Sequence, residues 1–550
     1  MSASAVGSDR HSPWLFSPVP DLLFGCGALY LLIFAALSFV GPSIRVAQPL
    51  VLFPLLILAL SVPHYGATIL RVYEHRRDRR AYAIFSVWAT LLVLAWFAFG
   101  VFDHRVGSWL LTLFLTWSPW HYTGQNYGIA VMFLRRAGVP LDPATKRALY
   151  ASFVLSFVLT AIVLNSGAGT VGYDVAGATA EGRHIRFLPL GIPTSVTDVV
   201  TPALAVAWVA ATLLAGLRLV QRAPLRSLAP AAGIAAMHAT WFGIPVVLRH
   251  FDLAPFESLD FDMRTYYFTW IALAHALQYL WVTSYYARAG SDWSGGGRYF
   301  LKALLVGQML FVLPVVLCAP LGGLTYDGGL ALLVSSAVNV HHFILDGAIW
   351  KLRNSRVARV LIRSGGDDPV DARDSRLGVG FWGVAAACMA AGLYAQWTDL
   401  FRVPRLMVTR DYASAAQALD QTGWFGFDHE NKRAQLAASL LKQGRPDAAA
   451  EQARRSLELR ESSEGWRLLG DAQLRSRSPD AALESYRHGL DLQPDSLRLL
   501  LRLAQANART GNTARAQELL QQARFLARAD PNASAMIARV EARLAAQEAR

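Results

Sequence analysis

The stretch GGLALLVSSAVNVHHFILDGAIW, residues 328–350, followed at once by KLRNSRVARVLIR, residues 351–363, decides the class of fold. About 20 apolar residues in a row are what a helix needs to cross the hydrocarbon of a bilayer. A basic segment directly after such a run is the mark of a cytoplasmic loop. Two adjacent histidines, His341 and His342, lie near the middle of the run, and Asp346 follows His342 by one helical turn. An ionisable side chain at that depth costs several kcal/mol (roughly 2.5–3.5 for charged types on insertion scales), so it points to a functional site.

Working outward, similar runs occupy roughly 21–40, 48–72, 81–101, 108–134, 147–167, 199–219, 226–248, 264–288, 300–319 and 377–397, which makes about eleven with the first. Basic loops such as RVYEHRRDRR (71–80), LRRAGVPLDPATKR (134–147) and RLVQRAPLR (218–226) alternate with neutral or acidic ones such as FDLAPFESLDFD (251–262). That alternation predicts an N-terminus inside and a C-terminus outside. The expected place is a bacterial inner membrane, with the C-terminal part periplasmic. The opening MSASAVGSDRHSPW lacks a basic n-region and a small-residue cleavage site, and reads as a cytoplasmic leader to an uncleaved first helix.

The predicted organisation is therefore a leader over 1–20, a polytopic membrane domain over 21–397, a linker over 398–410 and a soluble helical domain over 411–550. The fold class is all-α: a membrane helix bundle followed by an α-solenoid. The 54% hydrophobic content of the 550 residues averages two unlike halves. The net charge of +13 sits largely in loops between apolar runs, with no aromatic-laced basic patch, which argues against nucleic acid as a partner. Membrane lipids are the expected surroundings. The three cysteines, Cys26, Cys318 and Cys388, all fall in or beside apolar runs, so a disulfide framework or a thiolate zinc site is excluded.

Six of the thirteen histidines lie near mid-span: His64, His121, His238, His275, His341 and His342. Imidazole is the commonest metal ligand. At 1.5 Å per residue, the six scatter by less than about 8 Å along the membrane normal. Their neighbours supply further donors: Gln125 one turn after His121, Gln278 and Tyr279 one turn after His275, and Asp346 after His342. These four are candidates to orient the ligands or to add to them. Pro63 and Pro119 each lie close before a histidine, where a kink is tolerated if the freed backbone groups face protein or a cavity. A lone histidine such as His238, in AAMHATWFG, serves equally well as a hydrogen-bonded packing residue. His341 and His342 point about 100° apart on a helix, so one of them faces elsewhere.

Nitrogen ligands with an occasional carboxylate suit iron, copper or zinc. A buried iron site with several histidines suits oxygen activation on a lipid-like substrate reaching it from the bilayer. Haem binding or electron transfer is the first alternative, since it too uses mid-membrane histidines. A transporter or a polytopic glycosyltransferase is the second. No internal symmetry among the spans favours a transporter, and the first external loop, GPSIRVAQ, lacks an acidic pair.

Two resemblances extend these readings. GRPDAAAEQARRSLEL (444–459), RSPDAALESYRHGLDL (477–492) and GNTARAQELLQQARFL (511–526) align, with Ala449, Ala482 and Ala516 in register. This resembles the tetratricopeptide repeat, with its period of about 34 residues, and implies a solenoid that binds a protein or peptide partner. The histidine-rich spans, with HYTGQ at 121–125 the suggestive local stretch, resemble bacterial membrane β-carotene dioxygenases of the Brp/Blh type. That resemblance implies non-haem iron held at mid-membrane. The HxxHH boxes of membrane desaturases are absent, since Val338 stands three before His341.

Overall fold

A computed structural model of the chain describes residues 13–39, 52–74, 82–166, 184–251, 268–289, 293, 295–351, 355–362, 377–528 and 531–548. Most of the leader, most of the loops at 71–80 and 251–262, and residues 352–354 and 363 of the loop at 351–363 lie outside the described residues. Among those described the fold is helical, with a single isolated bridge between Ser166 and Ile192. Contacts divide the chain into two units. The first comprises Met1–Ala178, Phe187–Leu313 and Leu333–Met389; the second comprises Thr179–Arg186, Pro314–Leu332 and Ala390–Arg550.

The helices, in chain order, begin with α1 (Ala28–Phe39), α2 (Leu52–Tyr73), α3 (Ile84–Phe102), α4 (His104–Arg136), α5 (Pro143–Leu164) and α6 (Thr194–Val220). They continue with α7 (Leu225–Trp241), α8 (Gly243–His250), α9 (Phe268–Arg288), α10 (Gly296–Leu321), α11 (Tyr326–Ile349), α12 (Ser355–Ile362) and α13 (Val379–Val408). Seven of them, α2, α3, α5, α6, α10, α11 and α13, are long and apolar enough to cross a membrane. The other four expected spans are helical but fall short. α1 and α7 are short, with 12 and 17 residues, and α7 stops before Phe242. α4 and α9 are long but less apolar: α4 carries Trp109, Trp117, Ser118, Pro119, Trp120, His121, Gln125 and Asn126, and α9 carries His275 and Gln278.

Local sequence explains how the site helices are held. Asp103 caps α4, its carboxylate accepting from the Arg105 and Val106 amides. A π turn, Ile57–Ser61, interrupts α2 just before Pro63, whose missing N–H suits the start of a new helical segment. α2 and α10 approach closely at paired glycines: a Cβ on Gly66 would fall 1.8 Å from the Ala303 carbonyl oxygen, and one on Gly307 would fall 2.0 Å from that of Val62. Small residues at such crossings let helices pack without a solvent-driven force.

The second unit contains the solenoid: α14 (Tyr412–Gly423), α15 (Glu430–Lys442), α16 (Pro446–Leu459), α17 (Ser463–Arg475), α18 (Pro479–Leu492), α19 (Leu497–Arg509), α20 (Thr513–Ala527) and α21 (Pro531–Glu548). Each pair turns on a left-handed residue, Gly444 (φ 72°), Arg477 (φ 61°) and Gly511 (φ 81°). The following amide then reaches back to a carbonyl five residues earlier: Arg445 to Leu440, Ser478 to Gln473 and Asn512 to Asn507.

The same device recurs once more upstream. Arg410 has φ 59°, and the Asp411 amide donates to Leu406 O at 2.9 Å. Residues 410, 444, 477 and 511 are 34, 33 and 34 apart. Ala415 on α14 is fully buried, as are Ala449 and Ala482 at the matching positions. The repeat array thus has one more helix pair than the aligned sequence segments contain, and its first helix is the end of α13. The segment expected as a linker, 398–410, is instead the π turn Thr398–Arg402 and the helix Val403–Val408. The reason is local: Val403, Leu406 and Met407 pack into the first solenoid core.

Candidate metal centre

α2, α4, α9 and α11 bring His64, His121, His275 and His342 together. Ring centroids are 4.4 Å apart for His64 and His342, 5.2 Å for His64 and His275, 4.9 Å for His121 and His275, and 5.0 Å for His121 and His342. Asp346 Oδ2 lies 3.4 Å from His342 Nε2 and 3.8 Å from His121 Nε2. His64, His275 and His342 offer one donor set whose atoms lie within 4.8 Å of one another, and His121, His342 and Asp346 offer a second.

The hydrogen bonds fix which nitrogens face inward. His64 Nδ1 is 3.0 Å from the Ser61 carbonyl oxygen. A carbonyl only accepts, so that nitrogen carries the proton and Nε2 keeps its lone pair. This lone pair faces His342 Nε2 at 3.0 Å. Two ligand nitrogens each about 2.0–2.1 Å from an ion lie about 3.0–3.4 Å apart. His342 Nδ1 meets Thr68 Oγ1 at 2.8 Å. Thr68 Oγ1 also reaches Asp346 Oδ1 at 3.2 Å and the Tyr279 hydroxyl at 2.6 Å. Tyr279 donates to Asp346 Oδ1 at 2.7 Å and accepts from Trp350 Nε1 at 3.1 Å. A ring proton on His342 Nδ1 thus has a hydroxyl acceptor, and Asp346 receives two donors on the oxygen turned away from the histidines.

Two of the four histidines are left unsatisfied. Neither nitrogen of His275 has a hydrogen-bond partner, and His121 Nε2 has none either, although all three atoms are buried. A buried polar group without a partner costs about 1–3 kcal/mol. Orphaned imidazole nitrogens in a cluster with a carboxylate are what a cation would satisfy.

The structure separates two expected ligands from this cluster. His238 Nε2 is 3.2 Å from the Phe153 carbonyl and its Nδ1 is 3.3 Å from Asn126 Nδ2, so both nitrogens are occupied, and its ring stacks on Phe153. His341 turns the other way, as the 100° between neighbours requires, and its Nε2 meets Thr90 Oγ1 at 2.8 Å and the Tyr73 hydroxyl at 3.4 Å. Gln125 and Gln278 bond to each other at 2.5 Å, and Gln278 also donates to Gly25 O at 2.8 Å. They stand behind the His275 backbone and do not reach the ring nitrogens: Gln125 Nε2 lies 3.4 Å from His275 O. Asp346 and Tyr279 are in the hydrogen-bond network. Thr68 and Ser61 join it without a signal in the histidine spacing, although Thr68 follows His64 by one turn and so shares its face.

Comparison with known proteins bears on the other unit. Residues 435–496 and 473–540 match tetratricopeptide repeat family models. No curated protein matches the chain. The matched residues lie wholly within the solenoid, so the likeness of the helical bundle to membrane dioxygenases stands as an expectation. The C-terminal part is a tetratricopeptide solenoid, a fold that points to a protein partner, joined to an all-α bundle with membrane-spanning helices and a histidine cluster able to hold a metal.

Proposed function

We propose that His64, His121, His275, His342 and Asp346 hold one transition-metal ion, iron before zinc or copper. We propose further that the protein is a membrane enzyme of the non-haem iron oxygenase type acting on a lipid-like substrate. The observation that carries the reading is the pair of facing Nε2 atoms at 3.0 Å beside the orphaned nitrogens of His275 and His121. Nitrogen-rich ligation with one carboxylate suits iron, and iron bound there would supply oxygen or redox chemistry. Thr68 and Ser61 set the tautomers, Tyr279 holds Asp346, and the surrounding apolar helices exclude water. Neighbouring rings of the four, with centroids 4.4–6.3 Å apart, leave no slot for a porphyrin plane between them, which favours non-haem metal over haem. The repeats would dock a protein partner. Loop charge supports an inner-membrane protein with its solenoid outside the cytoplasm, and a reporter fused after Arg410 that is active only in the cytoplasm would refute that orientation.

Metal analysis with an absorption spectrum tests the reading. Protein purified without chelators should carry near one equivalent of metal, no Soret band should appear, and His275→Ala or His342→Ala should abolish binding. His238→Phe and His341→Leu should retain it. Wild-type protein holding less than about 0.2 equivalents would sink the proposal, since a preformed histidine site binds its ion tightly.

A further inference from the structure

A cavity of about 300 Å³ opens beside the cluster, between α4, α9 and α11. His121 and Asp346 line it, and so does Lys351, just past the end of α11. Its aromatic walls include Trp120, Phe343 and Trp350. Three glycines also line it: Gly124 and Gly128, one turn apart on α4, and Gly347 on α11. A Cβ at any of these three would meet no atom within 4 Å. They differ in this from Gly66 and Gly307, where the missing Cβ makes room for a neighbouring helix. Here the missing side chains leave open space along the helices.

The cavity has direction. From His121 to Met132, both in its lining, α4 rises about 16 Å, and from Asp346 to Lys351 the chain of α11 rises about 7.5 Å. Met132 and Trp350 belong to one apolar cluster with Leu361, so the two helices lead the same way, from the histidines toward the lysine. An imidazole nitrogen without a hydrogen bond therefore stands toward one end and a cation at the other: His121 is 8% exposed and its Nε2 has no hydrogen-bond partner. Gly124 and Gly347 are exposed, so the slot is reachable from outside the bundle.

We propose that this slot binds the chain of a single-chain anionic amphiphile, a long-chain carboxylate. Its head pairs with Lys351 and its chain passes along Gly128 and Gly124 to His121. Apolar pockets with few, well-placed polar groups are the usual form of such sites, and a lysine is a compact partner for a carboxylate. The proposal deepens the enzyme reading by naming its substrate class. It rests on that reading only for the chemistry, and its binding claim stands apart.

The test measures binding of radiolabelled palmitate to the purified full-length protein in nanodiscs, with metal content read on the same samples. Gly128→Leu or Gly124→Leu fills the slot from open space, and either should weaken palmitate by at least about tenfold while metal content is unchanged. Lys351→Glu should weaken palmitate by about tenfold and leave hexadecanol binding as it was. His275→Ala should lose metal and keep palmitate. Palmitate binding to both glycine variants as tight as to wild type overturns the slot. Hexadecanol binding as tight as palmitate, with no effect of Lys351→Glu, overturns the anionic class in favour of a neutral chain. Wild type without metal that still shows this pattern refutes the metal centre and leaves the slot standing.

Discussion

Thr68→Val removes one oxygen and keeps the β-branched shape, so the helix around it stays in place. That oxygen lies within hydrogen-bond reach of three polar atoms: His342 Nδ1 at 2.8 Å, the Tyr279 hydroxyl at 2.6 Å and Asp346 Oδ1 at 3.2 Å. Tyr279 and Asp346 still have each other at 2.7 Å, and Tyr279 keeps Trp350. His342 Nδ1 alone is left facing a methyl group. Its ring is 2% exposed, so no water replaces the lost partner. If His342 ligates through Nε2, its Nδ1–H must then go unsatisfied, or the ring must turn and loosen the ligand set. Loss of such an outer partner costs roughly 10–100-fold in metal affinity, about 1.4–2.7 kcal/mol. The assay is a chelator-competition titration of wild type, Thr68→Val and Thr68→Ser, which keeps the hydroxyl. Valine should weaken binding within that range and serine should not. Combining Thr68→Val with Asp346→Asn should give less than the summed loss, because both act on one network. A valine variant within twofold of wild type, or a serine variant as weak as valine, would refute the assignment of Thr68 as the residue that orients His342.

Two further outcomes concern the solenoid. Arg477→Gly should stabilise it by about 1 kcal/mol, since Arg477 holds a left-handed conformation that costs a residue with a Cβ about 1–2 kcal/mol and glycine little; a urea midpoint read by pulsed hydrogen exchange that falls on substitution contradicts this. His429 gives a pH dependence. Burial lowers its pKa, but the hydrogen bond and charge of Asp327, with the charges of Asp399 and Asp428, outweigh this and hold it above the ordinary imidazole value. Its pairing with Asp327, at 3.3 Å, therefore contributes fully below about pH 6.5 and is lost as pH rises through the raised value. The melting difference between wild type and His429→Gln should shrink from pH 6 to pH 9; one that grows reverses the sign.

Hydrophobic run length made the bundle legible in sequence, and the 33–34-residue period made the solenoid legible. The first repeat was hidden because its first helix, Val403–Val408, falls inside 398–410, which directly follows an apolar span and reads as a linker. Four of the six histidines converge, and the reason the other two do not is instructive. Depth along the membrane is readable from residue count, whereas the direction a side chain faces depends on helix rotation and on which neighbours pack. His341 shares the depth of His342 and faces α3, where Thr90 receives it. His238 shares the depth too, yet α7 packs its ring on Phe153 of α5. The amide pair Gln125–Gln278 shows the same limit, since one turn of spacing from a histidine placed both residues near the site without fixing which atoms they reach.

The π turn Thr398–Arg402 has a consequence for how this chain tolerates change in length. A π turn is one residue inserted into an α-helix, and each inserted residue rotates the remainder of the helix by about 100°. In α13 that rotation sets the angular phase at which Tyr394, before the turn, meets residues after it: its hydroxyl donates to Gln421 Oε1 on α14 at 2.9 Å and accepts from Arg402 Nη1 at 2.9 Å. Junctions between domains usually absorb insertions and deletions freely. Here a single codon gained or lost between Trp397 and Arg402 would turn Tyr394 away from Gln421 and Arg402, so this joint behaves as a gear tooth, with reading length fixed to the residue.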